Sequence, residues 1–258
     1  MLVRHDIRSL YLGTDRRITV WLPPGYHRRL SRTRYPVLYL NDGQNLFEPE
    51  RAFAGNTWHV GETAADLVRR HRIPPLLIVG IDHGAVNRAR EFLPVEDERN
   101  PFARRPLGRE YVEFVTREVL PFMARSYPIA RGTAATGIGG SSYGGISALY
   151  TTLVKPGIFG RLLIESPSLY VGRQHLLRLS RRSKRWPSRV YLGVGTRETS
   201  HQKRNEETVK NVLLLDRILH RARLGPKRLR LRVEEDAGHT EGAWAHRLPD
   251  ALEFLFGR

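Results

Sequence analysis

One serine stands in a setting made for covalent chemistry. Ser142 is the centre of Gly140-Ser141-Ser142-Tyr143-Gly144, and this segment reads G-x-S-x-G in one frame only. A serine hydroxyl is a weak nucleophile unless a base reaches it. The pattern presents it on a tight strand-to-helix turn, where the residues two before and two after approach so closely that only very small ones fit. An apolar strand must precede and a helix must follow. Ala134–Ile138 and Ile146–Val154 supply them. A glycine-rich turn can also cradle phosphate. Here no lysine follows, which excludes a Walker loop, and Gly137-x-Gly139 is followed three residues later by Ser142, which breaks G-x-G-x-x-G.

A nucleophilic serine needs a base and an acid that orients the base, in the chain order Ser, acid, His, each on a loop after a strand. The apolar run Val190–Val194 leads to Gly195-Thr196-Arg197-Glu198, and the alternating run Leu229–Val233 leads to Ala237-Gly238-His239-Thr240. The separations, 198 − 142 = 56 and 239 − 198 = 41 residues, leave room for the intervening strands and helices. His239 is the expected base and Glu198 the expected acid. Glu234, Glu235 and Asp236 lie nearer the histidine in sequence but precede it in the strand-to-loop turn. Negative charge on a tetrahedral intermediate needs two backbone N–H donors. Tyr143, after the nucleophile, offers one. The segment Asn41-Asp42-Gly43-Gln44-Asn45-Leu46-Phe47 offers the other at Gln44, with Gly43 letting the backbone approach; the same segment also reads as a plain Asx-Gly turn.

These residues require a scaffold of strands ending at one edge. Ile18–Leu22, Val37–Leu40, Leu76–Ile81, Leu162–Ile164, Val190–Val194 and Leu229–Val233 read as strands, and several are continuous apolar runs suited to burial on both faces. Residues 109–126 read as a helix that Pro121 should kink. Val209, Val212, Leu215 and Leu219 mark a long helix, and Trp244, Leu248, Leu252 and Leu255 a C-terminal one. Alternation of this kind predicts an α/β fold, a mainly parallel sheet with helices on both faces, in one domain over 1–258. Tyr170 to Trp186 is too short for a sizeable lid, so the site should be fairly open and able to accept a bulky ester; small or aryl esters are the expected substrates. Asn45, Phe47, Trp58, His83 and Leu169, with Tyr143, are the expected substrate-lining residues at the carboxyl ends of the strands.

Composition sets limits. Hydrophobic residues at 40% and charged residues at 27% suit a globular core, and the absence of cysteine excludes thiolate nucleophiles and disulfides. No run approaches a bilayer span, and Met1–Leu12 is too charged for a signal peptide, so a cytoplasmic protein is expected. The net charge of +17 comes from 43 basic residues, only five of them lysine, spread along the whole chain. That spread reads as a solvated surface, and no nucleic-acid partner is expected. The densest cluster, Arg178, Arg181, Arg182, Lys184 and Arg185, is a candidate for attracting an anionic substrate. No metal or cofactor is expected: Asp82 and His83, the nearest candidate pair, would point to opposite faces of a strand.

The chain resembles the bacterial esterase family of α/β-hydrolases that takes in enterochelin esterases, feruloyl esterase domains, esterase D and the mycolyltransferases. The matching stretches are LPPGY (Leu22–Tyr26), PVLYLNDGQNLF (Pro36–Phe47), IVGIDHGAVNRAREFLP (Ile78–Pro94), GGSSYGG, ESPSLY (Glu165–Tyr170), VYLGVGTRE (Val190–Glu198) and AGHTEGAW (Ala237–Trp244). The resemblance implies the α/β-hydrolase fold, Ser142, Glu198 and His239 as the triad, and Gln44 and Tyr143 as oxyanion donors. Some members carry Asp where this chain has Glu198. A small-molecule ester is the expected partner. The alternatives on the same fold are a siderophore-type (catecholate) esterase and an acyltransferase. An alternative of another class is a non-catalytic scaffold that binds anionic partners such as nucleic acid.

Overall fold

A computed structural model describes residues 1–26 and 33–257. Eight strands form one sheet in the order β1-β2-β4-β3-β5-β6-β7-β8. They are β1 Leu2–Arg8, β2 Asp15–Trp21, β3 Val37–Asn41, β4 Leu77–Ile81, β5 Thr136–Ser141, β6 Arg161–Glu165, β7 Arg189–Arg197 and β8 Leu229–Gly238. β1 pairs antiparallel with β2, and β2 antiparallel with β4; every other pairing is parallel. The helices are α1 Val60–Arg69, α2 Arg88–Phe92, α3 Gly108–Glu113, α4 Leu120–Ser126, α5 Ser142–Val154, α6 Val171–Arg182, α7 Gln202–Arg221 and α8 Glu241–Phe256. This is the mainly parallel α/β architecture that the strand and helix pattern predicts, and the α/β-hydrolase fold that the resemblance implies.

The period-2 alternation of each strand divides the core. Leu38, Leu40, Ile78, Leu163 and Tyr191 face α1 and α8 and pack with Trp58, Leu67, Trp244 and Leu252. Val37, Tyr39, Val79, Ile138, Ile164 and Leu192 face the other way, against residues of α2 to α7 such as Phe92, Tyr111, Ile146, Leu177 and Leu215. All five residues of β3 and all five of β4 are buried, as continuous apolar runs require.

Two features depart from expectation. Residues 109–126 are helical throughout, but the kink expected at Pro121 is taken up by a π-helical stretch, Phe114–Val119, between α3 and α4. Pro121 has no N–H and its ring would press on the carbonyl four residues back; a wider turn relieves both. β1, drawn from a polar stretch, is an added edge strand whose side chains alternate between half-buried and exposed.

The carboxyl end of α8 is held by arginines of the sheet. Arg189 Nη1 donates to the carbonyls of Phe254 (2.8 Å) and Gly257 (2.9 Å), and Arg161 Nη1 donates to Leu255 O. Cations belong at this end, where the last carbonyls lack intrahelical donors and the dipole is negative. Burial, and then the neighbouring Arg189, push the Arg161 guanidinium down to about 10. Arg189→Ala is expected to cost about 2 kcal/mol of unfolding free energy in urea while leaving turnover unchanged; a loss below about 0.5 kcal/mol would contradict the cap.

Candidate active site

The fold delivers Ser142 at the first position of α5, directly after β5. Its φ of 54° is left-handed, a sparsely populated region for a residue with a Cβ. The turn is tight enough to need its glycines. A Cβ on Gly140 would lie 2.8 Å from Gly144 C, and one on Gly144 would lie 2.8 Å from Asp42 Oδ2. Tyr143 is the second residue of α5, so its N–H has no acceptor within the helix, and the positive end of the helix dipole faces the same way.

His239 follows β8. A register irregularity opposite Gly195–Arg197 and a left-handed Asp236 (φ 58°), whose N–H donates to Thr196 Oγ1 at 2.8 Å, turn the strand end. Thr240 then starts α8, accepting from Ala243 N–H at 3.3 Å. The His239 ring shares a hydrogen bond from Nδ1 to Glu198 Oε2 at 2.5 Å. Glu198 Oε1 accepts from Ser166 Oγ at 2.7 Å and from Gly195 N–H at 2.6 Å. Burial works to raise the Glu198 carboxyl, but the hydrogen bond and charge of His239, with the bonds from Ser166 and Gly195, outweigh it and hold the group below its usual range. Trp244, on α8, fixes the ensemble from behind: its Nε1–H donates to Ser166 Oγ at 2.9 Å, and its ring meets His239 edge-on with centroids 5.1 Å apart. Ser142, Tyr143, Ser166, Ser168, Tyr170 and His239 line one cleft of about 330 Å³, with Glu198 and Thr199 at its side.

Of the other expected site residues, Gln44 lies in the 3-10 turn Gly43–Asn45 after β3, and its Oε1 accepts from His83 N–H at 3.3 Å. Asn45 Nδ2 donates to Glu241 Oε1 at 3.1 Å, on the His239 side. His83 is half-buried, its Nε2 4.0 Å from Asp42 Oδ1; burial, more than any charge, pushes its imidazole down. Phe47, Trp58 and Leu169 do not form the cleft wall. They are 8%, 2% and 1% exposed and belong to the core on one face of the sheet or the other. Their apolar surface is spent on packing; Trp58 lies against Trp244 at 5.6 Å and so backs the histidine indirectly. The basic cluster expected to attract an anion lies on α6 and just after it, outside the cleft lining, and Arg178 folds back onto the carbonyls of Gly172 and Arg173. Among the described residues no cluster of three or more His, Asp or Glu is arranged to hold a metal, and no helix is long and apolar enough to cross a membrane.

Beneath the cleft lies a buried ion cluster. Arg247 of α8 donates from Nε to Glu165 Oε2 (2.9 Å) and from Nη1 to Glu234 Oε2 (2.6 Å). Burial raises the Glu165 carboxyl to about 7 despite Arg247, with the charges of Glu198 and Glu234 adding to the rise. The two carboxylates act on stability in separate windows. Between the unfolded value near 4.5 and about 7, the folded protein holds a proton on Glu165 that the unfolded chain releases, so this group adds stability as pH falls. Glu198, held low, contributes stability above its unfolded value, and this is lost as pH falls below about 4.5. Glu165→Gln is therefore expected to flatten the change in urea midpoint between pH 7 and pH 5 relative to wild type. An unchanged slope would show that Glu165 does not titrate there.

Comparison with known proteins converges on one group. The profile of the family described as "Putative esterase" matches residues 9–255. The "Uncharacterized protein YbbA" of Bacillus subtilis is 25% identical over 257 residues, covering 97% of this chain and 96% of that protein. The "Iron(III) enterobactin esterase" of Dickeya dadantii is 32% identical over 168 residues, 64% of this chain but 33% of its own length. Among solved structures, the enterobactin esterase FES of Shigella flexneri superposes with a TM-score of 0.76 at 23% identity, over 99% of this chain and 58% of that one. A ferulic acid esterase superposes with a TM-score of 0.74 at 19% identity, over 99% and 97%. Likeness at these identities shows the fold.

Proposed function

Because the chain belongs to the Putative esterase family, we propose that it is a serine carboxylic-ester hydrolase working through an acyl-enzyme on Ser142. The observation that carries this reading is the hydrogen bond between His239 and the buried Glu198, beside a strained Ser142 in the same cleft. In the proposed mechanism His239 Nε2 takes the proton of Ser142 Oγ as the oxygen bonds to the ester carbonyl carbon. The carbonyl oxygen becomes an oxyanion held by the N–H groups of Gln44 and Tyr143. Its collapse breaks the bond to the alcohol oxygen, which leaves with the proton from His239. Water, deprotonated by the same imidazole, bonds to the acyl carbon; the second intermediate collapses by breaking the bond to Ser142 Oγ, which takes the proton back from His239, and the acid leaves. Glu198 remains a carboxylate throughout, fixing the ring's tautomer and stabilising the imidazolium.

The cleft of about 330 Å³ suits small or aryl esters. On p-nitrophenyl esters from acetate to laurate, kcat/KM is expected to be highest at the short end and about tenfold lower at laurate. A steady rise to laurate would overturn the small-ester reading, and no turnover of any member would count against the hydrolase reading itself. A siderophore-type activity has one specific support, the stretch shared at 32% identity with the enterobactin esterase of Dickeya dadantii. A cyclic catecholate ester hydrolysed with a kcat/KM above that of every aryl ester would establish it.

A further inference from the structure

The two amides assigned to the oxyanion hole come from separate parts of the chain: Gln44 from the loop after β3, Tyr143 from the turn after β5. Two donors help a developing charge only if their separation is fixed, because a displacement of about 1 Å costs on the order of 10²-fold in rate. Something must tie the loop to the turn. Asn41 supplies one tie, its Nδ2 donating to Gly144 O at 2.7 Å while its Oδ1 accepts from Tyr111 O–H at 2.7 Å. A second tie runs through a charge pair that the proposed mechanism does not use.

Asp42 immediately precedes Gly43-Gln44 and is left-handed, φ 58°. Its side chain is almost wholly buried, and both of its oxygens are taken by one fork: Arg88 Nε donates to Oδ1 at 2.6 Å and Arg88 Nη2 to Oδ2 at 2.8 Å. The same guanidinium lies over the ring of Tyr143, 5.7 Å from its centroid, and over Phe92 of its own helix at 5.3 Å. Asp42 Oδ2 also lies 2.8 Å from where a Cβ on Gly144 would be, so the carboxylate packs on the backbone of the turn. The Tyr143 ring is held on its far side, where its hydroxyl donates to Asp97 Oδ2 at 2.6 Å. Arg88 thus stands between the loop that carries one donor and the side chain whose backbone carries the other. A lysine could match the charge but not the fork or the flat stacking face.

We infer that Arg88 is a positioning residue of the oxyanion hole: by gripping Asp42 and stacking on Tyr143 it sets the spacing between the Gln44 and Tyr143 amides. The inference rests on the Ser142-centred reading above. Arg88 touches neither the nucleophile nor the base, and its effect falls on the transition state, where the oxyanion exists, more than on ester binding.

The test uses p-nitrophenyl acetate with Arg88→Met, Arg88→Lys and the double variant Arg88→Met/Asp42→Asn. Asparagine tolerates the left-handed backbone at 42 and removes the carboxylate that Arg88→Met alone leaves buried without its hydrogen-bonded fork. Arg88→Met is expected to lower kcat about 10²-fold with KM within about threefold, and Arg88→Lys to fall in between. Phosphonylation of Ser142 by a fluorophosphonate, which passes through the same hole, should slow in parallel. The double variant should regain the unfolding midpoint without regaining kcat. A kcat for Arg88→Met within about threefold of wild type would overturn the inference. So would recovery of kcat together with the midpoint in the double variant, which marks a merely structural role, or a raised KM at unchanged kcat, which marks contact with substrate. Ser142→Ala in the same series separates the two claims. If it keeps wild-type turnover, the Ser142 reading has failed; if it is silent while the Arg88 variants run at wild-type rate, only the role of Arg88 has.

Discussion

Ser142→Ala is expected to lower kcat on p-nitrophenyl esters by about 10³-fold or more, because it removes the atom that bonds to the acyl carbon. His239→Ala should lose about as much. The double variant should lose little more than either, since members of one catalytic unit fail together. Stability should barely move. Ser142 is held at φ 54° by the turn, and alanine meets the same backbone cost as serine, so the unfolding free energy should stay within about 1 kcal/mol. Residual turnover within about tenfold of wild type would remove Ser142 from its role.

The second large effect is expected at Glu198. Its Oε2 faces His239 Nδ1 at 2.5 Å, and its Oε1 takes two hydrogen bonds, from Ser166 and from Gly195. Glu198→Gln keeps the volume and an acceptor for Ser166 and Gly195. It removes the charge and can turn an NH₂ toward Nδ1, which favours the tautomer that keeps its lone pair on Nδ1 and leaves Nε2 protonated, unable to act as base. The expected loss in kcat is about 10³-fold, in line with the roughly 10⁴-fold fall when the orienting carboxylate of a serine protease triad becomes an amide. The fold should survive, since the amide remains bonded to Ser166 and Gly195. A loss under about tenfold would mean that another carboxylate orients His239. Glu241, two residues on and half-buried near the cleft, would be the first to test.

The parts of the molecule that could be read from the sequence are those where chemistry and local backbone make the same demand. A nucleophilic serine needs a left-handed turn with glycines on either side, and Gly140-Ser141-Ser142-Tyr143-Gly144 announces both at once. Buried parallel strands read as unbroken apolar runs, so β3, β4 and β7 were legible to within a residue or two at most ends. β1 was not, because an edge strand alternates with water on one side and LVRHDIR carries too little apolar content to stand out. Phe47, Trp58 and Leu169 lie near the carboxyl ends of strands, as lining residues should, but periodicity places a residue along the chain and does not say whether it points into a cleft or into the core. The Asp42–Arg88 grip and the Ser166–Trp244 brace join residues 88 − 42 = 46 and 244 − 166 = 78 positions apart. No local pattern encodes such pairs; they exist only once the sheet has brought the loops together. The quoted stretches IVGIDHGAVNRAREFLP and ESPSLY contain Arg88 and Ser166, and an unassigned polar residue within a recognisable stretch was the one available signal.

The central claim is that Ser142 is the nucleophile and that His239 activates it. The most direct measurement is the intact mass of the protein after brief treatment with a fluorophosphonate, followed by peptide mapping, for wild type and His239→Ala. The account predicts one phosphonyl group per wild-type chain, carried on Ser142, and labelling slowed by about 10²-fold or more in the histidine variant. A label on any other residue, or equal labelling of Ser142 with and without His239, would contradict it.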